Sequence, residues 1–403
     1  MSEFPISAGP EAAVPPTDRT ARTAPPVTAL RQRLAELRGP AVPAKALDAR
    51  ALAALAANPG CRRRALLDGA GVDKSALAQA LGSPSGFGQS QFAFVRGNAF
   101  EAKVKADGGA ELLRLVHAHL GGGPEPTTGA PDGDPAAVRT PDLAAAGPEG
   151  RAARTALALR EASGTRAWTL LDHPMLALDV AGSPAFLEPD AVVVHPDGHW
   201  TVVEIKSFPM IDGAADAAKV GSAARQAAVY ALALQQVAGH LDPAPPVHHR
   251  VLLVCPKDFS NQPTAAVMDV RKQLSVTKRQ LGRLTRIEDI ADALPEGTTF
   301  DVERPAAELT EAVESVPAAY APECLAACEL AFHCRERARG DGEVTALGRS
   351  VRGELGALTA VEDVLAAARG TAGDPDDPAV AALRRAAGLR AEALAAAGGD
   401  TAC

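Results

Sequence analysis

The feature that most constrains this chain is a pair of strand-like runs on either side of Pro196-Asp197-Gly198. Pro suits the second position of a type I turn, and Gly accepts the left-handed conformation that follows, so the triplet predicts a three-residue hairpin loop. With the loop centred on Asp197, Asp190 lies opposite Glu204. Lys206 shares a face with Glu204, because side chains alternate along a strand. A two-residue loop would instead send Asp190 to the other face.

Glu204 and Lys206 are interleaved with Val202, Val203 and Ile205, which indicate a substantially buried strand where unpaired charge is costly. Two carboxylates bridged by Mg²⁺ or Mn²⁺ would satisfy this spot, because such hard cations prefer oxygen ligands. The ion would polarise a phosphate and help deprotonate a bound water, and a neighbouring Lys can orient the nucleophile. The alternative is a cross-strand Asp/Lys pair on a solvated sheet face, and these residues alone leave both interpretations open.

Gln226 and Tyr230 lie on the helix predicted directly after the hairpin, and their spacing puts them on one helix face. The order of PD, then ExK, then QxxxY resembles the signature of RecB-like nucleases within the PD-(D/E)xK superfamily. Upstream, the segment ending at Glu101 (RGNAFE) looks like the first motif of that family. Many relatives carry His at that place.

The resemblance implies an α/β fold with a PD-(D/E)xK restriction-endonuclease-like core and helical N- and C-terminal additions. It implies hydrolysis of DNA phosphodiester bonds, in recombination, repair or defence against foreign DNA. Magnesium or manganese would be held by Glu101, Asp190 and Glu204. Lys206 would assist catalysis, and Gln226 and Tyr230 would shape the site and contact the substrate.

Four cysteines form a second pattern, since Cys61 precedes the hairpin and Cys324, Cys328 and Cys334 follow it. One cysteine before the core and three after it resembles the iron–sulfur members of the RecB-like group, such as the AddB-type and CRISPR-associated enzymes. There a 4Fe–4S cluster, which needs four thiolates, ties the two ends of the domain together. The spacing here is C-x3-C-x5-C, where the group usually has C-x2-C-x5-C.

Two other interpretations of these cysteines stay open. A structural zinc ion could take the three C-terminal cysteines together with His333 or Cys61, because zinc accepts mixed thiolate and imidazole ligands. Alternatively, the cysteines could be small buried hydrophobic residues, which is how we interpret Cys255 on its predicted strand.

Gly- and Pro-rich segments divide the chain into three parts. We expect residues 1–45 to be a disordered Pro/Ala-rich N-terminus with a short helix at 29–38. Residues 46–345 form the nuclease domain, interrupted by a flexible insertion near 120–150. Residues 346–403 form a helical C-terminal extension with an acidic linker.

Hydrophobic periodicity predicts the elements of the core. Strands are expected at 167–171, 187–194, 200–208 and 250–255, and helices at 97–120, 213–238, 265–283 and beyond 306.

The formal charge of −8 argues against a protein that coats nucleic acid along its whole surface, but it leaves room for a local basic groove. Arg62–Arg64 form one basic run, next to the proposed cysteine cluster. A second basic run could be a surface that follows the phosphates of a nucleic acid, or it could be an ordinary solvated helix face. Its residues are Arg271, Lys272, Lys278, Arg279, Arg283 and Arg286.

The chain shows neither a membrane-spanning stretch nor a secretory signal, which predicts a cytoplasmic protein. It also carries no phosphate-binding loop, so a helicase or another defence or repair protein is an expected partner beside DNA. The rival hypothesis is a non-catalytic DNA- or protein-binding scaffold with a structural zinc or iron–sulfur site.

Overall fold

The computed structural model describes residues 26–84 and 91–399, except for positions 132, 135, 182 and 259. The described chain has a mixed α/β architecture, as expected. Its strands are β1 Val138–Arg139, β2 Trp168–Asp172, β3 Leu176–Val180, β4 Ser183–Leu187, β5 Ala191–Val194, β6 Trp200–Ile205, β7 Arg250–Pro256 and β8 Pro263–Asp269.

Helices surround these strands. They are α1 Pro26–Arg38, α2 Ala49–Ala57, α3 Arg62–Gly69, α4 Lys74–Ala80, α5 Gln91–Val104, α6 Ala106–Leu120, α7 Gly147–Thr165, α8 Ala217–Ala238, α9 Arg271–Leu281, α10 Ile287–Asp292, α11 Ala306–Glu314, α12 Ala331–Gly340, α13 Arg349–Glu354, α14 Val361–Arg369 and α15 Pro378–Gly399. Short 3₁₀ turns at Pro322–Ala326 and Val344–Leu347 complete the C-terminal part.

Six strands form one mixed sheet in the order β1-β2-β5-β6-β7-β8, and β3 and β4 form a separate hairpin. The pairs β2/β5, β5/β6 and β7/β8 are antiparallel, whereas β6 and β7 are parallel. A parallel neighbour needs a crossover connection, and α8 supplies it between β6 and β7.

The sheet is covered on both faces. Phe100 and Val104 of α5 and Leu112 of α6 pack on the face that carries Val203 and Ile205. The other face, which carries Val192, Val202 and Leu253, packs against α7 and α8, and α2 packs on α8. The alternation along β6 therefore puts Glu204, like Val202, on the side of α8.

The central hairpin has the predicted loop and register. The N–H of Gly198 donates to the carbonyl of His195 at 2.9 Å, with Pro196 second in the turn and Gly198 at φ +91°. Ala191 faces Val203, so the register brings Asp190 opposite Glu204 as expected. Turn chemistry alone was enough to set this pairing.

Several predicted elements were wrong in extent, and the strand expected at 200–208, for example, ends at Ile205. The predicted helix at 265–283 begins only at Arg271, because residues 263–269 form β8 instead. These residues form the backbone hydrogen bonds that the edge of β7 would otherwise lack. Pairing with β7 therefore outweighs the helical preference of Ala265 and Ala266. The predicted strand at 187–194 is interrupted at Glu188–Asp190, since Pro189 has no N–H to give to a ladder.

The predicted helix at 97–120 is broken after Lys105. Asp107, Gly108 and Gly109, at the start of the range given for α6, have φ values of +54°, +68° and +81°, which a right-handed helix cannot contain, so the regular turns of α6 follow Gly109. A side chain at Gly109 would put its Cβ 2.3 Å from Leu170 of β2, so the break brings the start of α6 against the sheet. Glycine is required there both by its backbone conformation and by this close approach.

The peripheral segments follow the expected division in part. Residues 1–25, where disorder was predicted, lie outside the described residues, and the predicted short helix corresponds to α1. The insertion near 120–150 is not wholly irregular, because it contains β1, which pairs with β2. Helices α13 to α15 occupy the predicted C-terminal extension, with residues 370–377 between α14 and α15. None of the described helices combines the length and apolar character needed to cross a membrane.

Three histidines gather at the loop end of the central hairpin. His195 Nε2 and His248 Nδ1 lie 2.9 and 2.8 Å from the Thr201 hydroxyl oxygen, and the rings of His199 and His248 stack with centroids 4.4 Å apart. Burial, followed by the charge of His199, lowers the pKa of His248 to about 4. The folded protein therefore favours the neutral form of this imidazole.

This cluster predicts a loss of stability in weak acid. An unfolded His248 protonates near its ordinary pKa of 6.5, whereas the folded one does so only near 4, so its contribution to stability is full above pH 6.5 and is lost as the pH falls through this window. We expect the urea midpoint to fall less between pH 7.5 and 4.5 in His248→Gln than in the parent. His249→Gln, outside the cluster, is the control, and equal slopes for all three proteins would contradict the prediction.

Candidate metal centre and cysteine site

Asp190 lies where the backbone leaves the β3–β4 hairpin and enters β5. Its Oδ2 accepts a hydrogen bond from the N–H of Ile205 at 2.6 Å, so the carboxylate is held across the hairpin rather than directed into solvent. Burial raises the pKa of Asp190, and this is opposed by the charge of Lys206. The strand pairing has thus placed one carboxylate in reach of the second strand.

Lys206 lies two residues beyond Glu204, and its ammonium forms an ion pair with Glu204 Oε1. The same nitrogen is 3.9 Å from Asp190 Oδ2. Burial lowers the pKa of Lys206, but the charges of Glu204 and Asp190 outweigh burial, and the pKa is raised overall. The side chain is therefore a fixed cation between two acids, as the sequence predicted.

Glu204 is the least solvated member of the group, with 0% of its surface exposed. Neither carboxylate oxygen has a hydrogen-bond partner of normal geometry among the described residues, although Oε1 touches the Lys206 ammonium. Burial raises the pKa of Glu204 to about 7, with Lys206 opposing the shift and Asp190 adding to it. The charge of Lys206 therefore does not fully offset the cost of burying the ionised Glu204 carboxylate, and a further cation beside it would stabilise the ionised form.

Tyr230 and Gln226 face this centre from α8. The Tyr230 hydroxyl donates to the carbonyl of Glu188 at 3.1 Å, and the Gln226 amide donates to the Tyr230 oxygen at 3.1 Å. Burial raises the pKa of Tyr230 well above its ordinary value, and the charge of Glu204 adds to the effect. The pair holds the backbone just before Asp190, which explains the Gln and Tyr spacing independently of any substrate contact.

Glu101 lies beside the centre in a cluster that the sequence did not reveal. Its Oε1 is 2.5 Å from the ammonium of Lys105 and 2.9 Å from His173 Nε2. Lys105 also pairs with Asp172 at 2.6 Å. The pKa of Glu101 falls to about 2, with the His173 hydrogen bond as its largest cause, although burial opposes it. We call Glu101, Lys105, Asp172 and His173 the rim tetrad.

Arg151 of α7 joins the rim tetrad to the segment before Asp190. Its Nη2 donates to the carbonyl of His173 at 3.0 Å and to Glu188 Oε1 at 2.5 Å. No local pattern marks Arg151, Asp172 or His173, because their roles come from loops that meet only in the folded chain. A His directly before a Pro, as at 173, was the one available hint of a special backbone position.

The four predicted cysteines lie in two regions that the fold brings together. Cys61 directly precedes α3, whereas Cys324, Cys328 and Cys334 lie between Pro322 and the first turn of α12. Burial raises the pKa of Cys334, and the charge of Arg63 opposes this shift. Burial raises the pKa of Cys328 to about 12.

Two N–H donors point at these sulfurs. Asn58 Nδ2 is 3.4 Å from Cys324 Sγ, and Arg63 Nη1 is 3.3 Å from Cys334 Sγ. Such donors stabilise thiolates and help tune iron–sulfur centres. His333 is also buried, and its Nε2 has no partner among the described residues, so the zinc alternative keeps its imidazole ligand.

Within the described ranges, no three His, Cys, Asp or Glu side chains are arranged as a ready metal site. The donor chemistry nevertheless fits the expected groups. Glu204 and Asp190 offer oxygen to a hard cation, with Glu204 lacking hydrogen bonds. The cysteines offer four sulfurs, and N–H donors lie beside those of Cys324 and Cys334.

The two basic runs have different environments. Arg63 and Arg64 are buried: Arg63 Nε donates to the carbonyl of Val316 at 3.0 Å, and Arg64 pairs with Asp68 at 3.1 Å. These two guanidinium groups of the first basic run are therefore enclosed by protein and bonded within the fold. Every residue of the second run is exposed, although Arg271 and Arg286 pair with nearby acids.

No protein-family model, no curated protein and no solved structure matches this chain. The resemblance to RecB-like nucleases therefore depends on the short motifs and on the geometry described above.

The buried carboxylate predicts a stabilising substitution. In EDTA at pH 8 we expect Glu204→Gln to raise the free energy of unfolding by on the order of 2 kcal/mol, because an amide needs no counter-charge. Since the folded pKa of Glu204 is raised from 4.5 to about 7, its contribution to stability is full below pH 4.5 and is lost as the pH rises through about 7. The gain should therefore shrink at pH 5.

Urea unfolding at both pH values measures this difference. Glu149→Gln, at an exposed position of α7, is the matched control and should change little. A Glu204→Gln protein that is less stable than the parent at pH 8 would show that the ionised carboxylate is satisfied within the fold.

The cysteine site predicts a coloured protein. After purification without oxygen, we expect broad absorption in the blue and about four irons per chain. Cys334→Ser should lose the colour, whereas Cys255→Ser should keep it, because Cys255 is buried within β7 and apart from the group. A colourless chain that carries zinc would establish the zinc alternative, and a chain with neither metal would leave the cysteines as buried apolar side chains.

Proposed function

We propose that this chain is a divalent-metal-dependent DNA nuclease of the PD-(D/E)xK type. The observation that carries the proposal is Glu204, a fully buried carboxylate whose one close polar contact is the ammonium of Lys206, beside Asp190. A fold without use for a cation here would gain by replacing Glu204 with an apolar residue, since buried ion pairs are seldom stabilising on balance.

Asp190 and Glu204 would hold magnesium or manganese, with Glu101, which is paired with Lys105 and His173 in the rim tetrad, as the third expected ligand. When bound, the ion supplies Lewis acidity at the scissile phosphate and lowers the pKa of a coordinated water. Lys206, which contacts both carboxylates, would orient the attacking water and offset the charge that develops on the phosphate. Tyr230 and Gln226 keep Asp190 in register by holding the preceding carbonyl.

The expected substrate is DNA, and the biological setting that the motifs favour is recombination, repair or defence. The exposed cations of α9 support a polyanionic substrate, because Lys272, Lys278 and Arg279 form no ion pair among the described residues. A helicase or another defence or repair protein remains a proposed partner. The four cysteines would hold a 4Fe–4S cluster, with zinc as the alternative.

The second candidate function is a DNA- or protein-binding scaffold without catalysis. The ion pair between Lys206 and Glu204 favours it, because it partly neutralises the centre without any metal. The two functions differ in what they require of divalent ions, since a scaffold binds DNA equally well in EDTA.

Cleavage assays separate these functions. We expect the parent to cut DNA in Mg²⁺ or Mn²⁺ but not in EDTA, and Lys206→Ala to lower the rate by about 100-fold or more, through lost stabilisation of the transition state. Lys103→Ala, at an exposed position of α5, should retain the parental rate. Linear and closed circular DNA should be compared, because only an endonuclease cuts the circle.

Binding should be measured in parallel with cleavage. Cleavage that needs no divalent ion, or that survives Lys206→Ala unchanged, would contradict the proposed mechanism. DNA binding in EDTA without cleavage under any condition would establish the scaffold function.

A further inference from the structure

Arg63 is a buried cation at the cysteine site. Only 7% of the residue is exposed. Its Nε donates to the carbonyl of Val316 at 3.0 Å, and its Nη1 lies 3.3 Å from Cys334 Sγ. Its backbone N–H donates to the carbonyl of Pro317 at 2.9 Å. Both the backbone and the side chain of Arg63 are therefore held against the segment that carries the C-terminal cysteines.

No carboxylate pairs with this guanidinium among the residues that the structure describes. The adjacent Arg64 shows the contrast, because it is buried to a similar degree, with 6% exposed, but pairs with Asp68 at 3.1 Å. An arginine does not lose its proton in a protein, so the cost of burial cannot be relieved by neutralising the side chain. Because a buried charge without a partner is costly, Arg63 requires an anion beside it.

The groups around Arg63 narrow the choice of that anion. The two carbonyl oxygens that accept its hydrogen bonds carry no formal charge. The carboxylate of Glu314, at the end of α11 just before this segment, pairs instead with Arg337 at 3.0 Å. His333, which directly precedes Cys334, is neutral or cationic and cannot supply negative charge. Cys334 can, because a cysteine becomes a thiolate when it binds a metal.

A metal centre at these cysteines would carry the missing negative charge. A zinc ion bound by three or four thiolates has a net negative charge, and so has a 4Fe–4S cluster bound by four. Four neutral thiols, as expected if the cysteines are only buried apolar side chains, would leave the guanidinium unpaired. Asn58 adds an N–H donor 3.4 Å from Cys324 Sγ, so both contacts favour negative charge on the sulfurs.

We propose that Arg63 is the counter-charge of an anionic metal–thiolate centre formed by the four cysteines, and that it determines how tightly the metal is held. The proposal rests on the cysteine site put forward above and is independent of the nuclease centre at Glu204. The guanidinium then has opposite effects in two states of the protein. It stabilises the metal-bound fold by pairing with thiolates, and it destabilises the metal-free fold as an unpaired buried charge.

The first test is the retention of metal. The parent and its variants are purified without oxygen and loaded with iron and sulfide, or with zinc, and the loss of metal to EDTA is followed by elemental analysis. Arg63→Met should lose metal faster by on the order of tenfold or more, because residues that hold metal ligands contribute about 10- to 100-fold to affinity. Arg63→Lys, which keeps the charge, should lie between Arg63→Met and the parent. Arg62→Met, at an exposed position, should match the parent.

Melting temperatures with and without metal separate charge pairing from an ordinary structural role. Arg63→Met should lower the melting temperature of the metal-loaded protein, whereas in the metal-free protein the loss should be smaller or reversed in sign. Arg38→Met is the matched control, since the Arg38 guanidinium donates to the carbonyls of Val42 and of Ala70, which lies at the end of α3 opposite Cys61, both at 2.7 Å. It should lower the melting temperature equally in both states.

The reduction potential is a third readout where the metal is iron. A cation beside the sulfurs favours the reduced and more negative state of a cluster. Arg63→Met should therefore lower the potential, Arg63→Lys should lower it less, and Arg62→Met should leave it unchanged.

Equal metal retention in Arg63→Met and in the parent, or an equal loss of melting temperature with and without metal, would overturn the proposal. A variant that is unfolded in both states counts against it too, because the metal-free protein should tolerate the loss of an unpaired charge best. A parent that takes up neither iron nor zinc would reject the cysteine site and this proposal together. A parent that binds metal at the cysteines but cuts no DNA would reject the nuclease function and leave the role of Arg63 standing.

Discussion

Much of this structure depends on one costly arrangement, the enclosure of the Glu204 carboxylate within the central sheet. Val203 and Ile205 pack on one face and leave Glu204 on the other, against α8. The ammonium of Lys206 pairs with that carboxylate, and the N–H of Ile205, the next residue, holds Asp190 beside it. A one-residue change of register would exchange the two faces of β6 and would bury Lys206 among the apolar residues under α5.

The surroundings of the centre are organised so that Asp190 cannot drift. Tyr230 holds the Glu188 carbonyl from α8, Arg151 holds the Glu188 carboxylate from α7, and His173 contacts the Asp190 carbonyl from the loop after β2. Three different elements thus converge on a segment of three residues that belongs to no strand. Because Pro189 breaks the ladder there, side chains must supply the restraint that sheet hydrogen bonds would otherwise give.

The parts of this arrangement that could be predicted are those encoded locally. Pro196 and Gly198 determine the turn, the turn determines the register, and the register places Asp190, Glu204 and Lys206. Gln226 and Tyr230 follow from helical spacing, and the cysteines from their positions on either side of the core.

What could not be predicted depends on contacts between distant segments. The break after Lys105 is needed only because Leu170 approaches Gly109, and β8 is a strand only because β7 has an open edge. A run of arginines such as Arg62–Arg64 normally indicates an exposed surface, but here the C-terminal segment covers Arg63 and Arg64. Lys105 and His173 lie in loops that meet only in the folded chain, so no local sequence pattern identifies them.

The contacts of Arg63 also have a consequence for the order in which the chain can fold during synthesis. Its side chain reaches a carbonyl 253 residues later and a cysteine sulfur 271 residues later. Helices α2 and α3 must therefore remain without these partners until most of the chain has left the ribosome. Contacts of such long range slow folding and lengthen the time during which an apolar surface is open to aggregation. The C-terminal cysteine segment thus packs onto the N-terminal helices only late in synthesis. Chains truncated before it would leave these helices exposed to chaperones and proteases.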